Sequence, residues 1–113
     1  MIKQGAGVIS EYGTDVLKLK LTGEIDHHGA RSLRAKMDDE IFLYRPKRVE
    51  LDLSSVDFMD SSGLGLILGR MNTAADAGGT LVIVNPAKRV EKVLSLAGME
   101  RMIKIERGKG HEK

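Results

Sequence analysis

Between residues 48 and 84 the hydrophobic period changes twice, and this restricts the possible fold more than any other feature of the chain. Val49, Leu51 and Leu53 alternate with polar neighbours over 48–53, the pattern of a strand with one wet face. Leu64, Ile67, Leu68, Met71 and Ala75 then fall at offsets 0, 3, 4, 7 and 11, a single apolar stripe of a helix. Gly78-Gly79 terminates that helix. Leu81-Val82-Ile83-Val84 follows as a continuous apolar run, as in strands buried on both faces. Strand–helix–strand crossovers of this length favour parallel neighbours and right-handed connections.

The flanking segments extend the same plan. Val8 to Tyr12 reads as a strand, Gly13-Thr14-Asp15 as a hairpin turn, and Val16 to Thr22 as a second strand alternating Leu17, Leu19 and Leu21 with Lys18, Lys20 and Thr22. Gly23 is expected to end it. A helix from about Gly29 to Phe42 carries Ala30, Leu33, Met37 and Ile41 on one stripe, and Pro46 stops it. Asn85-Pro86 reads as an N-cap followed by Pro at the first helical position. Val90, Val93, Leu94 and Ala97 make the third stripe, Gly98 caps it, and Met102 to Ile105 is a last short strand. The expected fold is a single α/β domain over residues 1–113, a small mixed sheet with helices packed on it, in the order β-β-α-β-α-β-α-β. Its first strand pairs antiparallel at one end. Residues 107–113, ending Gly108-Lys109-Gly110-His111-Glu112-Lys113, are expected to be a flexible tail.

Composition narrows the function. No apolar run approaches the roughly 20 residues that span a bilayer, and the N-terminus lacks the apolar core of a signal peptide. The chain has no cysteine, hence no disulfide framework, thiol nucleophile or thiolate metal site. A cytoplasmic location without membrane association is the default expectation. Lys and Arg number 18 against 16 Asp and Glu, the basic groups are scattered, and aromatics are only 4%, so direct nucleic-acid binding is not expected.

The chemistry concentrates at residues 58–69, Phe58-Met59-Asp60-Ser61-Ser62-Gly63-Leu64-Gly65-Leu66-Ile67-Leu68-Gly69. Two hydroxyls and a carboxylate stand where a strand passes into a helix, at unpaired N–H groups and a partial positive charge. A phosphate added there would find donors and a favourable field. The chain offers no comparable site elsewhere. One cap needs one residue, whereas three polar residues precede Gly63 and Gly65 here. Each of those glycines weakens a helix by roughly 1 kcal/mol relative to Ala, and the missing side chains would let another macromolecule approach the backbone. Gly65 and Gly69, four apart on one helix face, allow close packing or docking.

Other chemistries lack support. Met59-Asp60-Ser61-Ser62-Gly63 does not match the Gly-x-Ser-x-Gly elbow of serine hydrolases, and a triad drawing on His27 or His28 has no signature. The glycine spacing fits neither the dinucleotide fingerprint nor a phosphate-binding loop. Adjacent His27 and His28 rarely converge on one ion, so neither metal nor cofactor is expected. If the second and third strands are neighbours, Glu24 and Asp26 come near Asp60. A cluster of carboxylates beside a target hydroxyl would help position a partner's nucleotide-bound metal.

With these residues in view, the chain resembles the STAS domain, and within it the bacterial anti-sigma factor antagonists. The residues that carry the resemblance are Leu21-Thr22-Gly23-Glu24-Ile25-Asp26-His27-His28 and Val56 through Arg70, with Gly78-Gly79 and Val90 through Gly98 in support. The Asp-His-His element points to the sporulation subgroup, the sigma F antagonists. The resemblance covers about residues 8–107. It implies a non-catalytic regulator that binds an anti-sigma factor, itself an ATP-dependent serine kinase, and so releases the sigma factor for transcription. It further implies phosphorylation by that kinase on the serine after the Asp, here Ser61, reversed by a serine phosphatase. On this reading Asp60 positions Ser61 and contacts the kinase, and Ser62, Gly63 and Gly65 shape the docking surface. Glu24, Asp26 and His27 lie at its rim. The alternatives are a STAS interaction subunit of a stress-signalling or transporter complex, and a small serine hydrolase using Ser61. Relatives usually finish with a further helix, for which the last six residues are too short and glycine-rich; the switch does not depend on it.

Overall fold

Each strand places its alternate apolar residues on one side, and that side is where the helices lie. The computed structural model describes residues 5–108. In chain order the elements are β1 (Gly7–Gly13), β2 (Val16–Ile25), α1 (His27–Tyr44), β3 (Arg48–Met59), α2 (Ser61–Asp76), β4 (Thr80–Val84), α3 (Lys88–Leu96), a 3₁₀ turn (Met99–Arg101) and β5 (Ile105–Glu106). This is the expected β-β-α-β-α-β-α-β order in a single small α/β domain. The sheet has five strands in the spatial order β1-β2-β3-β4-β5. β1 pairs antiparallel with β2, and the other three pairings are parallel. The hairpin closes at Thr14 and Asp15, with φ of 54° and 65°, the left-handed pair that a two-residue turn between twisted strands requires.

A single cluster forms the core. Leu17, Leu19 and Leu21 of β2, Val49, Leu51 and Leu53 of β3, and Leu81 and Ile83 of β4 meet Leu33, Met37 and Ile41 of α1, Leu66 and Ile67 of α2, and Val90 and Leu94 of α3. The residues between them face away. Glu11, Lys18 and Glu50 are neighbours across β1, β2 and β3, and Lys20 faces Asp52. Opposite charges thus alternate across the polar face, each adjacent pair favourable by about 0.2–1 kcal/mol. At its edge Arg48 bonds Glu50 at 2.9 Å and Glu106 at 2.7 Å, fastening β5 to the centre of the sheet.

Several boundaries differ from expectation. β2 does not end at Gly23; it bends there. Gly23 has φ of +83°, the β2–β3 register shifts at this point, and an added Cβ would stand 2.1 Å from the Gly5 carbonyl oxygen. β3 continues beyond Leu53 to Met59, because its backbone stays paired with β2 from Ser55 to Met59 after the apolar alternation lapses. α1 begins at His27, since Asp26 and not a later residue caps it, and it closes on Arg45, whose φ of 44° lets its N–H reach the Ile41 carbonyl. Asn85 does not cap α3. It adopts φ of 51°, its N–H bonds the Glu106 carbonyl and its side chain takes the Gly108 N–H, so it ties β4 to the segment after β5. α3 starts two residues later, behind Ala87, with no side-chain cap. In α2 the inward stripe runs Gly63, Leu66, Ile67, Arg70, Thr73 and Ala74, leaving Ala75 outside. The last strand is reduced to Ile105 and Glu106, because Met99–Arg101 closes a 3₁₀ turn and the Ile103 N–H bonds the Met99 carbonyl. Of the expected tail, residues 109–113 lie outside the described residues, while Arg107 pairs with Glu91. Among the described residues no helix is long and apolar enough to cross a membrane.

Candidate functional site

β2 and β3 are parallel neighbours, so their C-terminal ends and the helices that follow stand side by side. Ile25 is paired with Met59, and the Asp60 N–H points at the Ile25 carbonyl, 3.4 Å away. The next residue on each strand is an aspartate, and each caps a helix. Asp60 has extended backbone angles, and its Oδ1 accepts from the Ser62 N–H at 2.8 Å. Its carbonyl also receives the Gly63 and Leu64 N–H groups, at 3.0 and 3.4 Å. Asp26 repeats the arrangement, its Oδ1 accepting from the Gly29 N–H at 2.9 Å and its carbonyl from Ala30 at 2.8 Å. The cap at residue 60 therefore has a counterpart at residue 26, where histidines and not hydroxyls follow the aspartate.

Ser61 opens α2 and is exposed; Ser62, next to it, is half-buried. Asp60 already occupies the Ser62, Gly63 and Leu64 donors, so what a phosphate on Ser61 would meet is the helix field more than a row of free N–H groups. The two glycines behave differently. Gly63 is buried, and an added Cβ would lie 2.4 Å from Met59 Cγ and 3.2 Å from Ile25 Cγ2. It was expected on the docking surface, but it faces inward and lets α2 settle on the strand ends. Gly65 is exposed with nothing within 4 Å of an added Cβ, and so is open to a visitor.

The expected rim divides into two. His27 lines a groove between α1 and α2 together with Ser62 and Gly65. Glu24 and Asp26 line a different concavity with His28, so they do not form one carboxylate cluster with Asp60 around a common space. The His27 and His28 rings are 6.3 Å apart and tilted by 58°, and they do not converge. Among the described residues there is no group of three or more His, Asp or Glu side chains able to hold a metal ion. No hydrogen bond joins a histidine to Ser61 or Ser62 among the described residues.

Two features escaped the sequence. Phe58 is 43% exposed beside the Ser61 junction. Simple alternation from Val56 would bury it, but the register shift opposite Gly23 and Glu24 turns Met59 inward in its place. The second feature is a basic wall on the groove, formed by Arg31, Arg34 and Arg70. Arg31 and Arg34 read as ordinary solvated charges on α1, and Arg70 lies off the expected apolar stripe, buried only because α2 is turned so that Gly63, Leu66, Ile67 and Arg70 face inward.

Comparison with known proteins agrees with this geometry. The family model for the STAS domain matches residues 9–110. An anti-sigma F factor antagonist from Paenibacillus polymyxa is 35% identical over 95 residues, covering 84% of this chain and 81% of that protein. The solved structure of the anti-sigma factor antagonist SpoIIAA in its unphosphorylated form superposes with a TM-score of 0.77 at 31% identity, covering 94% of this chain and 91% of that one. The structure of the Bacillus cell fate determinant SpoIIAA in the phosphorylated form gives a TM-score of 0.69 at 30% identity, covering 94% and 95%.

Proposed function

The chain belongs to the STAS domain family, and from that premise we propose that it is an anti-sigma factor antagonist switched by phosphorylation of Ser61. The unmodified form binds an anti-sigma factor that is also a serine kinase and displaces the sigma factor. The observation that carries the reading is the exposure of Ser61 at the first position of α2, directly after a capping carboxylate and beside the open backbone of Gly65. Likeness to a relative solved in both unphosphorylated and phosphorylated forms supports it.

The physics of the switch is local. The kinase transfers the γ-phosphoryl group of ATP to Ser61 Oγ: a P–O bond forms, the hydroxyl proton leaves, and ADP departs. Ser61 then carries about −1.5 to −2 charge at neutral pH, beside the carboxylate of Asp60. A partner surface matched to a neutral hydroxyl meets a dianion instead, and like-charge juxtaposition costs several kcal/mol. Near-complete switching needs about 5.5 kcal/mol of differential affinity. The same dianion lies at the positive end of α2, where it is favoured by about 0.3–1 kcal/mol, so the fold has no reason to change. Hydrolysis by a serine phosphatase restores the hydroxyl. Asp60 positions Ser61 by holding the first turn closed, Ser62 and Gly65 form the docking floor with Phe58 at its edge, and His27 stands at the rim. The chain itself performs no catalysis and holds no cofactor.

Mass-spectrometric site mapping after incubation with the anti-sigma factor kinase, ATP and magnesium tests the reading. Phosphate on Ser61 is expected; phosphate on Ser62, or on no serine, overturns it.

A further inference from the structure

The groove between α1 and α2 has a volume of about 370 Å³ and begins at Ser62. Its floor holds Gly65 and Gly69, one turn apart, and an added Cβ at either would meet nothing within 4 Å. No described residue therefore fills that space. Arg31, Arg34 and Arg70 line it, and no carboxylate does. Arg31 and Arg34 are exposed, neighbours on α1 at i and i+3, with no ion pair or hydrogen bond among the described residues. Arg70 is only 5% exposed. Asp38 Oδ1 lies 2.8 Å from its Nε, an ion-pair contact poorly aligned for a hydrogen bond, while Nη1 is buried with no hydrogen-bond partner among the described residues. Burial lowers the basicity of this guanidinium, Asp38 works against that, and the neighbouring Arg34 lowers it further. The positive charge of Arg70, compensated only by Asp38 among the described residues, adds to the field of Arg31 and Arg34 on the groove.

We infer that this groove receives an acidic segment of the protein that docks at Ser61, with an Asp or Glu carboxylate held by Arg31 and Arg34 over the buried guanidinium of Arg70. The inference rests on the function proposed above, and names a second point of attachment for the same partner. Charge complementarity selects a carboxylate. Continuity through Ser62 assigns it to the partner already at the junction. The phosphate of Ser61 itself is not the occupant, since Arg70 lies nine residues further along α2, about 13 Å at 1.5 Å per residue. A bidentate acceptor on Arg would fix the angle at which the partner approaches, which a single exposed serine cannot do.

The test uses the full chain as wild type, as the Arg31→Ala/Arg34→Ala double variant and as Gly69→Leu, which fills the floor. Affinity for the anti-sigma factor kinase with ADP and magnesium is measured at low and high salt. Both variants should bind at least tenfold more weakly at low salt, and the double variant should lose most of the salt dependence. Affinity and salt dependence within twofold of wild type, while wild type binds, would overturn the groove and leave the Ser61 switch standing. If wild type does not bind the kinase, the proposed function fails, and hexaglutamate then decides the groove by NMR. Salt-sensitive shifts of the Gly65 and Gly69 amides that vanish in the double variant support it; no shifts refute it.

Discussion

Ser61, Gly63 and Gly65 lie within five residues and do three different things. Ser61 is exposed, Gly63 is packed under α2, and Gly65 is open. Ser61→Ala should fold as wild type, bind the kinase without interruption and take up no phosphate; loss of binding in a calorimetric titration would reverse the direction of the switch. Ser61→Asp should weaken binding only partly, since it carries about half the charge of the phosphate. Gly63→Ala should destabilise the fold by about 1–3 kcal/mol in urea unfolding, because Met59 and Ile25 must move. Gly65→Ala should raise stability by up to about 1 kcal/mol and weaken kinase binding. The motif itself was readable from residue types: a serine after an aspartate where the period changes. The difference between the two glycines was not. It depends on which way α2 is turned, and that is decided by Met59 facing inward after Asp57 drops out of the β3 pairing with β2.

At the scale of elements, the strands and helices followed from their periods, and the departures share one cause: backbone hydrogen bonds outlasted the side-chain pattern, or replaced it. β3 keeps its pairing past Leu53, and Asn85 spends its polar groups on Glu106 of β5 and on Gly108 beyond it instead of on α3. The twin caps were half visible, because Asp26 looked like a loop residue before a helix expected to start at Gly29. Asp26→Ala and Asp60→Ala should each cost about 0.5–2 kcal/mol, read by chemical denaturation. The short β5 relies on Glu106. Its hydrogen bond to Arg48 holds the Glu106 carboxyl below the ordinary glutamate range. A carboxyl with a lower pKa in the folded chain contributes stability that is complete above its unfolded value and disappears as pH falls through the folded one. Wild type should therefore lose stability on acidification below the ordinary glutamate range, and Glu106→Gln should lack that component of the loss. Melting curves between neutral pH and pH 3 will check it.

The whole molecule presents one wall of helices and one charged sheet face, with the junctions of β2 and β3 gathered at a single edge by their parallel pairing. That gathering was foreseen in outline, since loops after parallel strands meet at one edge. The separation of Glu24 and Asp26 from the Ser61 side was not, because sequence distance says nothing about which side of a helix entrance a carboxylate lines. The basic groove was equally hidden, for it takes α1 from one crossover and α2 from the next to form it. Since Ser61 is exposed at a helix start, its phosphorylation should leave the melting temperature and far-ultraviolet circular dichroism nearly unchanged while abolishing association. The decisive measurement is the dissociation constant for the anti-sigma factor kinase of two preparations that differ only in the phosphate on Ser61. A loss of affinity of a hundredfold or more on phosphorylation, restored by phosphatase treatment, is the predicted result. Equal affinity of the two preparations would contradict the switch.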